Sequence, residues 1–242
     1  MEYSYKRFKW YNVFAVIVSV YLGIFAVICA LLHITVSYIF SGYAFIITAV
    51  MTGVLALMIK KAKNSIPKAV IQTLLCLGFG LVSLIVLFFM AFEPSATSHL
   101  KWQYGLMNDF YFEHNGAPDF FPDEIPSSAS GYEYDYRASV MQAQGHISVG
   151  FNADDDYVRT LTEELEASAV RTFKVSEYQT VIQQVIAEDP DDDMRGFGMY
   201  LGSNEKTHPD GTVYILDAYY NWNHPHANAV IVDGDYVFFS YY

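Results

Sequence analysis

Hydrophobic positions follow two different rhythms along this chain. In the first third they form three long runs, Tyr11 to Leu32, about Ile39 to Ile59, and about Ala69 to Phe92, and none of them contains a charged side chain. At 1.5 Å rise per residue, the first run reaches roughly 33 Å as a helix, enough to cross the hydrocarbon core of a bilayer. Backbone groups in lipid must be satisfied within their own segment, so each run predicts a transmembrane helix.

After Phe92 the apolar runs shorten and begin to alternate. Residues 93–119, opening with Pro94-Ser-Ala-Thr-Ser98, read as a juxtamembrane linker that holds one aromatic stretch, Leu100 to Phe112, as a helix or a strand. Pro118, Pro122 and Pro126 are expected to keep the chain extended past Phe120, Phe121 and Ile125. Tyr132, Tyr134 and Tyr136 alternate with Glu133, Asp135 and Arg137, the period of a half-buried strand over 132–140, and 144–151 repeats it with Ile147, Val149 and Phe151. A helix over 153–169 has Asp154, Asp155 and Asp156 in its first turn, where carboxylates favour the helix dipole. Its apolar stripe is Val158, Leu161, Leu165 and Ala169. A second helix starts near Ser176, which forms a capping box with Gln179, and Tyr178, Val181, Ile182, Val185 and Ile186 make its core-facing side. Strands follow over 197–201, 212–220, 227–232 and 236–241, with Asp233-Gly234 as a hairpin signal. The predicted fold class is a membrane protein: three transmembrane α-helices in residues 1–92, then a C-terminal α+β domain over 120–242. That domain is expected as an antiparallel sheet with two helices on one face.

Charge divides the chain at the same place. Residues 1–92 hold seven basic residues and one acidic one, whereas Glu93 onward holds 25 acidic and 7 basic, a net charge of 7 − 25 = −18. Lys6, Arg7 and Lys9 precede the first run and Lys60, Lys61, Lys63 and Lys68 lie between the second and third, while 33–42 has no Lys or Arg. The positive-inside rule then predicts a multi-pass protein of the cell membrane with a cytosolic N-terminus and an extracytoplasmic C-terminal domain. Tyr3, Tyr5, Trp10 and Tyr11 suit the inner headgroup belt, and Tyr38, Tyr43 and Phe92 the outer one. The first run is too long for a signal-peptide core, and Ile28 stands where a lipidation signal at Cys29 would need a small residue.

The bilayer is the first expected partner. Small residues recur on each span: Ala15, Ser19, Gly23, Ala26 and Ala30; Ala49, Gly53 and Ala56; Cys76, Gly80 and Ser83. Such stripes let helices approach closely, within one bundle or against a second copy or a partner membrane subunit. The lack of intramembrane charge argues against a lone transporter or channel. An acidic domain does not meet the phosphate-neutralising requirement of nucleic-acid binding; it favours cationic partners or metal ions instead, or simply keeps a surface domain soluble. Both cysteines, Cys29 and Cys76, fall in the spans, so the C-terminal domain must rest on its core without disulfides.

Candidate chemistry is sparse. Asp189-Pro-Asp-Asp-Asp193 starts like a calcium loop, but Met194 and Tyr200 replace the required Gly and Glu, which leaves an acidic loop. His224-Pro-His226 could share a metal ion only with a third ligand, for which His208, Asp210 and His146 are candidates. Tyr219, Tyr220 and Trp222 beside Asn221 and Asn223 could stack on and hydrogen-bond a glycan or peptide, or pack on the core. Tyr220, Trp222, Asn223, His224 and His226 are therefore the candidate ligand-binding residues. No catalytic residue, resident metal or cofactor is expected, since no nucleophile elbow, zinc-helix or phosphate-loop signature is present.

Phe121-Pro-Asp-Glu-Ile-Pro126 before a tyrosine-rich strand, and Asn221-Trp-Asn-His224 leading into Ala229-Val-Ile-Val and a closing aromatic strand, resemble a family of uncharacterised bacterial extracytoplasmic proteins, often lipid-anchored. The resemblance covers about 120–242. It implies an α+β domain on the outer membrane face and brings no catalytic residues. The expected function is a non-enzymatic binding, sensing or accessory module of the cell envelope. The alternatives are an envelope enzyme using a metal near His224 and His226, and an accessory subunit of a larger membrane complex.

Overall fold

The computed structural model describes residues 10–61, 66–92, 95–112, 117–138, 145–188, 204–219 and 226–241. The chain forms two compact units, Met1–Pro94 and Ser95–Tyr242.

The first unit holds three long helices, α1 (Trp10–Val36), α2 (Ile39–Lys61) and α3 (Ile66–Phe92). All three are long and apolar enough to span a membrane, with mean hydropathy of 2.8, 2.1 and 2.6. Their contact seam joins Ala15, Leu22, Met51, Leu55 and Cys76, and a second cluster joins Phe25, Cys29 and Ala44. Hydroxyls inside the seam turn back to their own helix, Thr48 to the carbonyl of Ala44 at 2.7 Å and Ser83 to that of Gly80 at 2.8 Å, the usual way to satisfy a hydroxyl where water is absent. Of the small residues, Ala15, Ala26, Cys76 and Ser83 are buried within the bundle, whereas Gly53 and Ala56 of α2 are exposed on it. There the close approach is at Gly42, where a Cβ would come within 3.0 Å of the His33 ring. α3 also starts before its apolar run. Lys68 is buried, with its ammonium 5.9 Å from the centre of the Tyr11 ring.

The second unit is a seven-stranded, fully antiparallel sheet in the order β1-β2-β3-β7-β6-β5-β4. The strands are β1 (Ser95–Ser98), β2 (Ser130–Arg137), β3 (His146–Asn152), β4 (Arg171–Lys174), β5 (Thr212–Tyr219), β6 (His226–Asp233) and β7 (Tyr236–Tyr241). Among the described residues, helices α4 (Tyr104–Tyr111), α5 (Asp155–Ser168) and α6 (Tyr178–Glu188) and the short α7 (Asn204–Thr207) accompany it.

Residues directly opposite in antiparallel strands share a face of the sheet. One face runs through Ala96, Tyr136, Ile147 and Tyr241, and through Val149, Phe239, Val230 and Tyr214. On it, Tyr104 of α4 meets Tyr132 and Tyr134 edge-on, and Tyr111 stacks on Tyr136 at 4.0 Å. The other face gathers Phe173, Val213, Ile215, Ala227, Ala229 and Ile231, with Val175, Tyr178 and Val181 packed over them.

The two helices expected on one face thus lie on opposite faces, α5 with α4 and α6 across the sheet. β4 is the reason. It follows α5, pairs with β5 through Arg171–Ile215 and Lys174–Thr212, and leads the chain around that edge of the sheet into α6. Its four residues, Arg-Thr-Phe-Lys, offer a single buried apolar position, too little for an alternation to register.

At the opposite edge, residues 95–98 pair with β2 as a strand, where the sequence suggests a linker. Ser-Ala-Thr-Ser has no large apolar side chain, so its alternating burial leaves no trace in the pattern. The Asp233 hairpin is present, one residue later than read: Gly234 and Asp235 form the loop, and Gly234 has φ 60°, as the first position of a tight hairpin turn requires. The strand expected over 197–201 lies outside the described residues, as do the side chains of Ile182, Val185 and Ile186.

Candidate functional site

The prolines at 118–126 build turns instead of a straight extended segment. Phe121 N–H donates to the Pro118 carbonyl at 2.9 Å, and Ala129 N–H to that of Pro126 at 3.0 Å. The first turn drives Phe121 inward, where its ring meets Phe112 at 5.3 Å and Phe239 at 5.9 Å. Phe120, next along the turn, is left half-buried beside it, with ring centres 5.0 Å apart.

Opposite this turn stands α5. Asp154 caps it, accepting the Tyr157 N–H at 2.9 Å and the Ser128 hydroxyl at 2.9 Å, which ties the helix start to the 118–129 segment. These contacts hold the Asp154 carboxyl below its usual range, the Tyr157 amide contributing most. Leu165 anchors the helix in the core and leaves Tyr157 and Leu161 part-exposed along the inner rim.

Between turn and helix is a cleft of about 320 Å³. Phe120, Phe121, Pro122 and Leu161 form its walls and Leu165, Leu216 and Phe239 its floor, while Asp119, Asp123 and Glu164 stand exposed at its mouth. Leu216 reaches it because β5 bulges between Ile215 and Asp217, so two consecutive residues oppose one on β6. Burial, then the nearby Glu164 charge, pushes the Tyr157 phenol up to about 12, so at neutral pH it lines the cleft as an uncharged hydroxyl. Three carboxylates and no lysine or arginine line this space. It can hold an apolar or aromatic body with a cationic end. The pocket walls supply contact area, and the solvated carboxylates supply sign selectivity more than energy.

Tyr220, Asn221, Trp222, Asn223 and His224 lie outside the described residues, and so do Asp189 to Asp193. His226 is placed by its backbone as the first residue of β6, opposite Tyr219. The histidines offered as further metal ligands are engaged separately. His208 Nδ1 lies 3.0 Å from Asp233 Oδ2 at the far end of β6 from His226, and seven strand steps of about 3.3 Å separate those ends by roughly 23 Å. His208 is thus held at the opposite end of β6 from position 226. His146 Nε2 sits 2.9 Å from Asp135 Oδ2. Among the described residues no group of three His, Cys, Asp or Glu is placed to hold a metal.

Sequence reasoning missed the cleft because its parts come from four distant segments. The only local signal was the pair Phe120-Phe121 flanked by acids and prolines. Comparison with protein-family models, with curated proteins and with solved structures found no match.

Proposed function

We propose that this chain is a membrane-anchored binding module whose C-terminal domain takes an amphipathic cation, such as a Lys- or Arg-bearing stretch of peptide, in the cleft between the 118–126 turn and α5. The carrying observation is the cleft itself, which has apolar side chains in its walls and floor and Asp119, Asp123 and Glu164 but no lysine or arginine among its lining residues. The anchoring half of the proposal rests on three helices of spanning length and on the basic residues that flank them, which favour a cytosolic N-terminus and an extracytoplasmic C-terminal domain. The strong acidity of residues 93–242 supports a cationic partner, because a field of that sign raises its local concentration.

The test is titration of the full chain in nanodiscs with two short blocked peptides, Leu-Lys-Leu and Leu-Glu-Leu. Saturable binding of the lysine peptide is expected, weakened about tenfold by Leu161→Asp, which breaks the apolar wall, and more modestly by Glu164→Lys, which reverses one charge at the mouth. Equal binding of both peptides, or lysine-peptide binding that ignores both substitutions, would remove the cleft as the site.

A further inference from the structure

Helix α4 is apolar on both sides. Its inner side, Tyr104, Met107 and Tyr111, is buried against the tyrosines of β2. On its outer side Leu106 and Phe110 are 45% and 48% exposed with Asp109 exposed beside them, and Trp102 of the preceding turn continues their four-residue spacing at 58%, with Leu100 at 51% before it. In this unit the only other large hydrophobic side chains so exposed, among the described residues, are Val170 and Tyr241, each isolated in sequence. Contiguous exposed apolar surface of this kind marks a contact surface.

Chain connectivity limits what can cover it. Trp102 follows Phe92, the last residue of α3, by ten residues, which even fully extended span no more than about 36 Å. The stripe therefore begins within that reach of chain from one end of a helix of membrane-spanning length. Its composition suits that place. Trp is an amphipathic ring that settles at the headgroup level, and Leu and Phe supply the side that enters the acyl boundary. Lys101, which could have met lipid phosphate, is instead directed to the carbonyls of Pro126, Ser127 and Ala129 at 3.4, 2.8 and 2.9 Å. That leaves apolar burial, not headgroup charge, as the driving force.

We propose that Leu100, Trp102, Leu106 and Phe110 dock in the headgroup–acyl boundary of the same bilayer that holds α1 to α3. This rests on the membrane-anchored reading above, and the experiment separates the two. The full chain carrying Trp10→Phe and Trp222→Phe, so that Trp102 is its sole tryptophan, is reconstituted into phosphatidylcholine vesicles with bromines at shallow or deep acyl positions. Vesicle flotation after carbonate washing reports anchoring. If the washed chain fails to float, both the anchoring and the docking proposals fall. If it floats, shallow bromines should quench Trp102 about twofold more than deep ones, as for a ring 5–10 Å into the boundary. Adding anionic lipid should not strengthen the effect. Trp102 that is open to aqueous acrylamide and untouched by brominated lipid overturns the docking proposal. So does Trp102 shielded from both, the result for a second copy or another protein on the stripe. Should the double variant misfold, the difference in quenching between the native chain and Trp102→Phe gives the same reading.

Discussion

The phenol of Tyr236 occupies the space that a side chain on Gly150 would need. A Cβ at position 150 would lie 2.7 Å from the Tyr236 oxygen and 3.3 Å from Phe238 Cδ2. The ring held there stacks on His208, with centroids 3.9 Å apart and planes 3° from parallel, and His208 in turn reaches Asp233. A glycine in mid-strand thus seats the contact that joins the 204–211 segment to the β6–β7 hairpin. Gly150→Ala should cost about 1–3 kcal/mol, the usual penalty for overpacking, and should shift the His208 ring resonances by displacing Tyr236. Denaturant unfolding with NMR checks both, and an unchanged midpoint would show that the ring moves aside freely.

On the same face, across the sheet, Asp135 is held by three strands. Thr97 of β1 donates to Oδ1 at 2.9 Å, His146 of β3 lies 2.9 Å from Oδ2, and Arg137 is 3.7 Å from Oδ2. Partial burial by itself would raise this carboxyl, but the hydrogen bonds from His146 and Thr97, with the charges of His146 and Arg137, outweigh it and hold it below the ordinary range. A depressed folded-state value contributes stability above the unfolded value of about 3.9, which is lost as pH falls through the folded value. Asp135→Asn should therefore lower the melting temperature at pH 7 and make progressively less difference below about pH 4. A pH series of thermal melts on both proteins decides it. A deficit of constant size down to acid pH would place the loss in packing.

Leu165 is 3% exposed and forms the part of the cleft floor that α5 contributes. Leu165→Ala should destabilise the unit by about 2–4 kcal/mol, the transfer loss plus a residual cavity. The same change should weaken lysine-peptide binding through the lost contact area. Unfolding and titration of one sample measure both.

Capping of α5 is shared between two segments through Asp154. Asp154→Ala should accelerate amide exchange at Tyr157, whose N–H loses its acceptor, and leave exchange in the β3–β7 ladder unchanged. Exchange monitored residue by residue would expose a global effect if the ladder also quickened.

Orientation in the membrane has a direct chemical readout. The two native thiols, Cys29 and Cys76, are buried in the helix bundle, so an added thiol at exposed Ser127 reports alone. In intact cells Ser127→Cys should react with a membrane-impermeant maleimide added outside. Labelling only after lysis would reverse the proposed topology.

The apolar helices were legible because span length and the exclusion of charge are one-dimensional properties, written in consecutive residues. β2 and β3 were legible for a related reason, since each alternates long enough for its period to show, and β5, β6 and β7 as short runs rich in β-branched and aromatic residues, the last two with a hairpin signal between them. Tyr132, Tyr134 and Tyr136 point to one face whatever they meet there.

Other features depended on partners far along the chain. Ser95–Ser98 is a strand only because β2 presents an edge to it, and Arg171–Lys174 only because β5 does. That second pairing puts α5 and α6 on opposite faces, which no helical periodicity could foretell, since an amphipathic stripe names a buried side and not the surface that buries it. The cleft has the same origin. Phe120, Leu161, Leu216 and Phe239 are separated by dozens of residues and converge because the sheet register and the β5 bulge align them. The sequence by itself determined which segments avoid water and where charge changes sign, because those follow from each residue's own solvation. Tertiary structure alone decided which buried sides meet, and with that the shape and the acidic rim of the space left between them.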